Sequence, residues 1–293
     1  MASMFDTVAI VGVGMIGGSV AAALRQRGLT GRIHGYDASA EHLDAALSAG
    51  LIDDAPAGPV AGDLIVLAVP VLSVTQVLGE LAPAFSAGSV VTDVLSVKQP
   101  VLDAAVRSLG RVPGTLVPGH PIAGSERPGP GAADPALFVD HRVILTPADT
   151  SDDSATVTVQ RMWEALGAEV VLMDAERHDR VLACTSHLPH LLAYALVDSL
   201  SRLDDSAEVF RLAAGGFRDF TRIAGSDPVM WRDIFASNRT ALLGVLDRFS
   251  ADLAELRGLI ERDEHEGVFE VLEKARVTRN AVAAHLAGKN SSE

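Results

Sequence analysis

Apolar residues follow two regimes along this chain. Up to about residue 174 they come in short runs rich in Val, Ile and Leu, at 7–11, 32–36, 63–70, 89–94, 116–118, 143–146 and 168–173. Such runs predict strands, and continuous rather than alternating ones predict parallel strands covered on both faces. Segments with helical spacing, such as 19–27 and 154–166, lie between them. Beyond residue 174 the β-branched runs stop. Apolar residues recur there at three- and four-residue spacing, which predicts helices over 175–203, 228–236, 238–262 and 264–286. Pro189 predicts a kink within the first of these. Asp227 followed by Pro228 predicts a helix start, an N-cap and then a first-turn proline. An α/β half is therefore expected over 1–174 and an all-α half over 175–293. Elongated helices of this kind leave apolar surface uncovered, so a homodimer joined through the helical domain is expected.

The first strand runs into Gly12-Val13-Gly14-Met15-Ile16-Gly17, and a helix follows. A G-x-G-x-x-G turn between strand and helix is the fingerprint of a Rossmann-like dinucleotide-binding domain. Gly12 permits the turn, Gly14 lets the backbone approach a pyrophosphate, and Gly17 lets helix and strand pack closely. Met15 and Ile16 open the helix whose N-terminal N–H groups favour the anion. Asp37 ends the second strand, 20 residues after Gly17, where an acid binds a ribose diol. An acid there repels a 2′-phosphate, and no arginine follows it, so NAD is expected over NADP. His34 and His42 read as ordinary strand and helix residues. Ligands in such sheets sit beyond the carboxyl ends of the strands. That places Val69 and Pro70, and the loop carrying Ser96 and Lys98, beside the cofactor. Lys98 faces either the site or solvent.

Candidate chemistry gathers in Gly119-His120-Pro121-Ile122-Ala123-Gly124-Ser125-Glu126. Two glycines and a proline predict a turn-rich path rather than a strand. His120 is either a proton acceptor facing a cleft or a loop cap. The following 127–133 segment lacks periodicity and reads either as a mobile loop that closes over substrate or as a plain surface connection.

In the helical half, Ser186-His187-Leu188-Pro189-His190 pairs two imidazoles three residues apart. Substrate contact by one of them ranks ahead of structural hydrogen bonding. A metal site, even with Cys184 and His178 recruited, fits no zinc spacing. Arg218 and Arg222 lie four apart, so like charges on one helix face call for a neutralising group. Asp219 is placed to pair with Arg222, and the remaining guanidinium suits a carboxylate. Trp231 either walls the pocket or fills the core.

Charge and composition narrow the partners. The 293 residues carry a formal net charge of −14 and are 48% hydrophobic. An acidic surface disfavours nucleic acid and anionic membrane. With only three lysines, Lys98, Lys274 and Lys289, arginine must meet any anionic ligand. No run is long and apolar enough to span a bilayer, and the N-terminus enters a strand directly, so a cytoplasmic protein is expected. Cys184, the single cysteine, permits no internal disulfide and reads as a small buried residue.

Five segments, GVGMIGGS (12–19), TDVLSVK (92–98), GHPIAGSE (119–126), SHLPH (186–190) and GGFRDFTRIAGSDPVMW (215–231), resemble the prephenate/arogenate dehydrogenases of tyrosine biosynthesis, in family order. The resemblance implies a Rossmann-like domain, a helical dimerisation domain and NAD-dependent oxidative decarboxylation of a cyclohexadienol. It implies that His120 takes the proton of the ring hydroxyl, with Ser96 holding histidine and hydroxyl. It further implies that Arg222 grips a substrate carboxylate, that His190 meets the substrate side chain with Ser125 and Glu126 nearby, and that His178 is a further site histidine. Leu95 departs from the glycine common at that position. No stretch is left for a regulatory domain, so feedback by tyrosine is expected to act in the active site. On this reading the rate rises with pH across neutrality as His120 deprotonates. Three alternatives remain. A 4-amino-4-deoxyprephenate dehydrogenase would use the same base and arginine. A β-hydroxyacid dehydrogenase relies on a lysine for which only Lys274 is on offer. A non-catalytic NAD-sensing module has no need of His120 and Arg222 together.

Overall fold

The computed structural model describes residues 3–125 and 127–289. The chain forms two compact units that divide after Leu242. The first opens with β1 (Phe5–Val11), α1 (Met15–Gln26), β2 (Thr30–Tyr36), α2 (Ala40–Ser48), β3 (Leu64–Leu67), α3 (Val74–Glu80), α4 (Ala82–Ser86), β4 (Val90–Asp93), α5 (Gln99–Leu109) and β5 (Leu116–Val117). These strands make a parallel sheet in the order β2-β1-β3-β4-β5. A single bridge between His34 and Asp54 extends it beyond β2.

The unbroken apolar runs are explained by what covers each face. Val8 and Ile10 of β1 pack with Val20 and Leu24 of α1, and with Val159 and Trp163 of α6 (Asp153–Ala165). Ala9 and Val11 point the other way, onto Leu78 of α3, Leu81, and Val101 of α5. A strand buried on both faces has no polar alternate positions to show.

A smaller sheet, ordered β6-β7-β8, follows: β6 (Gly119–Pro121), β7 (Arg142–Leu145) and β8 (Glu169–Leu172). The expected turn at 119–121 is thus a strand, antiparallel to β7, with His120 opposite Ile144. Pro121 is tolerated because β6 is an edge, where a missing N–H costs no ladder bond. The 127–133 segment is docked rather than open. Pro130 is buried, the Asp134 N–H donates to Ser19 Oγ at 3.0 Å, and a Cβ on Gly18 would stand 3.1 Å from Ala133.

The helices that follow are α7 (Ala175–Leu182), α8 (Leu188–Ser201), α9 (Ser206–Arg211), α10 (Gly215–Thr221), α11 (Pro228–Ser237), α12 (Arg239–Glu261) and α13 (His265–Lys289). The predicted 175–203 helix is split by a π turn over Ala183–His187. Pro189 lacks the N–H that would bond four residues back, and the wider turn just before it absorbs the mismatch. Cys184, expected inside, is exposed on this turn. Asp227 caps α11, accepting from the Val229 N–H at 2.8 Å. Trp231 and Ile234 of α11 cluster with Val97, with Val71, Tyr194 and Phe235 around them, which ties the helices to the loops at the sheet's carboxyl end.

In the second unit, the remainder of α12 turns at Asp263 (φ 57°) into α13. Gly267 lets the two helices close, since a Cβ there would meet Leu259 at 3.0 Å. Ile260, Phe269, Leu272 and Val277 are exposed. No helix among the described residues is long and apolar enough to cross a membrane.

Candidate active site

The glycine turn has the stereochemistry its spacing predicts. Gly12 sits at φ +94°, and a Cβ on it would lie 2.3 Å from the Ala68 carbonyl oxygen. A Cβ on Gly17 would lie 1.9 Å from the Gly12 carbonyl oxygen, whereas Gly14 faces open space. Gly14 is the N-cap of α1, and the first turn, starting with Met15 and Ile16, carries no acid. Open backbone at a helix N-terminus is what a pyrophosphate requires. Asp37 lies at the end of β2, with one carboxylate oxygen accepting from the Val13 N–H at 2.9 Å and the other from Ser39 at 2.8 Å. Lone pairs remain on both oxygens for a ribose diol. His42, read as an ordinary helix residue, stands 3.6 Å from Asp37. Val69 is half-buried and Pro70 exposed on the loop after β3.

The segment after β6 approaches this turn, a Cβ on Gly124 standing 3.9 Å from Met15, and His120 itself lies half-buried on β6. Its Nδ1 is 2.9 Å from His178 Nε2, and His178 Nδ1 is 2.7 Å from Asp179 Oδ1. Asp179 also accepts from the backbone N–H groups of Lys98 and Gln99, at 2.8 and 2.9 Å, and so caps the start of α5. Burial pulls the His120 pKa well below the ordinary histidine range, and the nearby charges of His178, Lys98 and His187 pull the same way. Burial likewise lowers His178, against the pull of the Asp179 hydrogen bond. His120 is therefore neutral at neutral pH, as a proton acceptor must be. The expected rise in rate across neutrality is moved into the acid range by this desolvation.

Lys98 faces neither site nor solvent. It is fully buried, pairs with Asp93 at the end of β4, and donates to the Gly119 carbonyl. Asp93 also accepts from the Leu95 N–H at 2.9 Å. Burial pushes Asp93 up and Lys98 down, each opposed by the other's charge. The pair joins β4 to the residue before His120. Leu95 is buried, and its φ is not among the positive values of the described residues, so replacing glycine there strains nothing. Ser96 is half-buried just beyond β4.

From the helices come His187, His190, Arg222 and Trp231. His187 is buried, accepts at Nδ1 from Asn238 at 3.1 Å, and burial lowers its pKa to about 4. It is the structural histidine of the pair. His190 donates from Nδ1 to the Ser186 carbonyl at 2.8 Å and stacks on Trp231, with ring centroids 3.6 Å apart. Burial lowers the His190 pKa, the Ser186 bond opposes this, and the charge of Arg222 adds to the lowering. Arg222 is thus electrostatically coupled to His190. Trp231 is buried in a cluster with Val97 and Ile234 and stacks against His190, with its indole N–H unbonded. The two arginines part company, because α10 ends at Thr221 and Arg222 begins a 3₁₀ turn. Arg218 is within ion-pair range of Asp219, at 3.9 Å, and both are exposed. Ser125 is exposed, and its Oγ accepts from the Arg127 N–H at 3.3 Å. Glu126 lies outside the described residues. No group able to hold a metal ion occurs among the described residues.

Sequence reasoning missed Asp179, Asp93 and Asn238. Asp179 follows His178 directly, and Asp93 lies within the 92–98 segment, so both stood next to recognised signals.

Comparisons with known proteins agree with the fold. The family model "Prephenate dehydrogenase, nucleotide-binding domain" matches residues 20–172, beginning just after the glycine turn, and "Prephenate dehydrogenase, dimerization domain" matches 174–274. The chain is 37% identical over 286 residues to a cyclohexadienyl dehydrogenase of Zymomonas mobilis, covering 96% of this chain and 97% of that one. It is 36% identical over 289 residues to a prephenate dehydrogenase of Bacillus subtilis, covering 96% and 77%. A crystal structure of prephenate dehydrogenase from A. aeolicus, in complex with hydroxyphenyl propionate and NAD+, superposes with a TM-score of 0.88 at 37% identity, covering 94% and 98%. With both family models matched in order and the Zymomonas relative covered almost end to end, the chain belongs to the prephenate dehydrogenase family.

Proposed function

We propose that this chain catalyses the NAD-linked oxidative decarboxylation of prephenate, of arogenate, or of both, to 4-hydroxyphenylpyruvate or tyrosine. The observation that carries the reading is a half-buried, neutral His120 on β6, with the segment that follows it brought against Met15 at the dinucleotide turn. Bound NAD supplies the hydride acceptor. His120 takes the proton of the ring hydroxyl as the ring loses its hydride and its carboxylate departs as CO2. On this reading Ser96, just beyond β4, holds the hydroxyl, and Arg222 meets a substrate carboxylate against a net charge of −14. On the same reading His190, stacked on Trp231, meets the side chain, with the exposed Ser125 nearby. Neither the amino-deoxyprephenate reading nor the NAD-sensing reading is favoured by the comparisons.

We assign residues 1–174 to the cofactor domain and 175–293 to a helical domain that joins two copies. The matched dimerization domain and the exposed Phe269 and Leu272 support a homodimer. We place the protein in the cytoplasm.

The deciding experiment is NADH or NADPH formation with prephenate and with arogenate, each with NAD and NADP. Turnover of neither substrate removes the reading. Arg222→Gln is expected to raise the substrate KM by about 10-fold or more, with the KM for NAD unchanged, because it removes a charge-assisted contact. An unchanged substrate KM takes away its anchoring role. Asp37→Ser is expected to raise the ratio of NADP to NAD efficiency, since the repulsion of a 2′-phosphate disappears. A constant ratio shows that Asp37 does not sense the ribose.

A further inference from the structure

The contacts around His178 determine more than a packing arrangement. Asp179 Oδ1 accepts from the backbone N–H of Lys98 and Oδ2 from that of Gln99, so this carboxylate is an acceptor on both oxygens. His178 Nδ1 must then carry the proton that bonds to Asp179. In a neutral ring the other nitrogen, Nε2, has only a lone pair to offer. It therefore accepts, and His120 Nδ1 donates to it across 2.9 Å. That leaves the lone pair of neutral His120 on Nε2, the atom pointing away from the buried dyad. Had His178 presented N–H instead, His120 would carry its proton on Nε2 and could not act as a base.

We propose that His178, backed by Asp179, is the positioning residue that sets the tautomer and ring orientation of His120. The proposal rests on the reading of His120 as the base. The groups facing the pair fit it: the Lys98 ammonium disfavours protonation of His120, His187 is itself neutral, and Asp93 and Asp179 favour a proton on His178. His178 is completely buried, so water does not compete for its Nε2. Asp179 itself is a poor site to mutate, because it also caps α5.

The test reads the tautomer directly. NMR of the ring nitrogens in full-length, isotopically labelled protein at neutral pH, with His120→Asn used to assign the signal, is expected to show His120 protonated at Nδ1 and bare at Nε2. The opposite tautomer overturns the proposal, whatever the activity. In kinetics, His178→Phe is expected to lower kcat by roughly 100-fold, the scale of a lost base orientation, with both KM values nearly unchanged. His178→Gln, which returns an acceptor oxygen to His120, is expected to restore most of that loss. A folded His178→Phe protein with near-normal kcat, or a Gln variant no better than Phe, also overturns it. Near-normal turnover by His120→Asn would instead remove the base assignment and leave the tautomer result standing.

Discussion

Replacing His120 with asparagine is expected to lower kcat by about 10²–10⁴-fold, the usual contribution of a positioned general base. The side-chain amide is close in size, and its NH2 can donate to His178 as the imidazole Nδ1 does, so the loss is chemical rather than structural. The KM for NAD should not move. Near-normal turnover would sink the assignment. The wild-type pH profile provides a second check. Desolvation, reinforced by the charges of His178, Lys98 and His187, holds His120 well below 6.5. Its base form is then already complete at neutral pH, so kcat/KM should be flat there and fall only as acid protonates the ring. An acid limb centred at or above the ordinary histidine pKa would show that His120 is solvated during turnover.

Replacing Lys98 with methionine is expected to cost about 3–5 kcal/mol of stability, the range for removing one partner of a buried ion pair. Asp93 would remain fully buried, with only backbone donors for company. Desolvation already raises its pKa, and Lys98 is what opposes that rise. Without the ammonium, the folded-state pKa of Asp93 climbs further above its unfolded value. A group shifted upward stabilises below its unfolded pKa and loses that contribution as pH rises through the folded pKa. The variant should therefore be weakest at neutral pH, and the gap in Tm to the wild type should narrow as pH falls. A constant gap would mean that the loss comes from packing alone. Because the pair joins β4 to the residue before His120, kcat should drop as well, even at temperatures where the variant is folded.

The legible features were those written in short stretches. The glycine turn was readable because φ > 0 at Gly12 and close packing at Gly17 are demands that only glycine meets, while Gly14 keeps the helix N-terminus open. Asp227 before Pro228 read as a helix start because capping is local chemistry. The unbroken apolar strands read as doubly covered because no polar alternation interrupts them. Where local signals misled, a neighbour distant in the chain was responsible. Gly119–Pro121 looked like a turn, but β7 was there to pair with it and leave the proline on an edge. Arg218 and Arg222 looked like one helix face, but the helix tightens between them and only Arg222 is coupled to His190. Lys98 looked ambiguous because nothing within a few residues says that a lysine will be enclosed with Asp93.

The site divides along the same line. Residue types and spacing alone established a dinucleotide turn, a histidine able to act as a base, and helices with apolar surface to share, because stereochemistry and periodicity act over a few residues. The state of that histidine was settled by packing. His120 and His178 lie 58 residues apart, and Asp179 meets Lys98 across 81. Such contacts exist only once the sheet, α5 and α7 have closed on one another and excluded water. Desolvation and hydrogen-bond partnership, the two quantities that govern a proton, come from that enclosure.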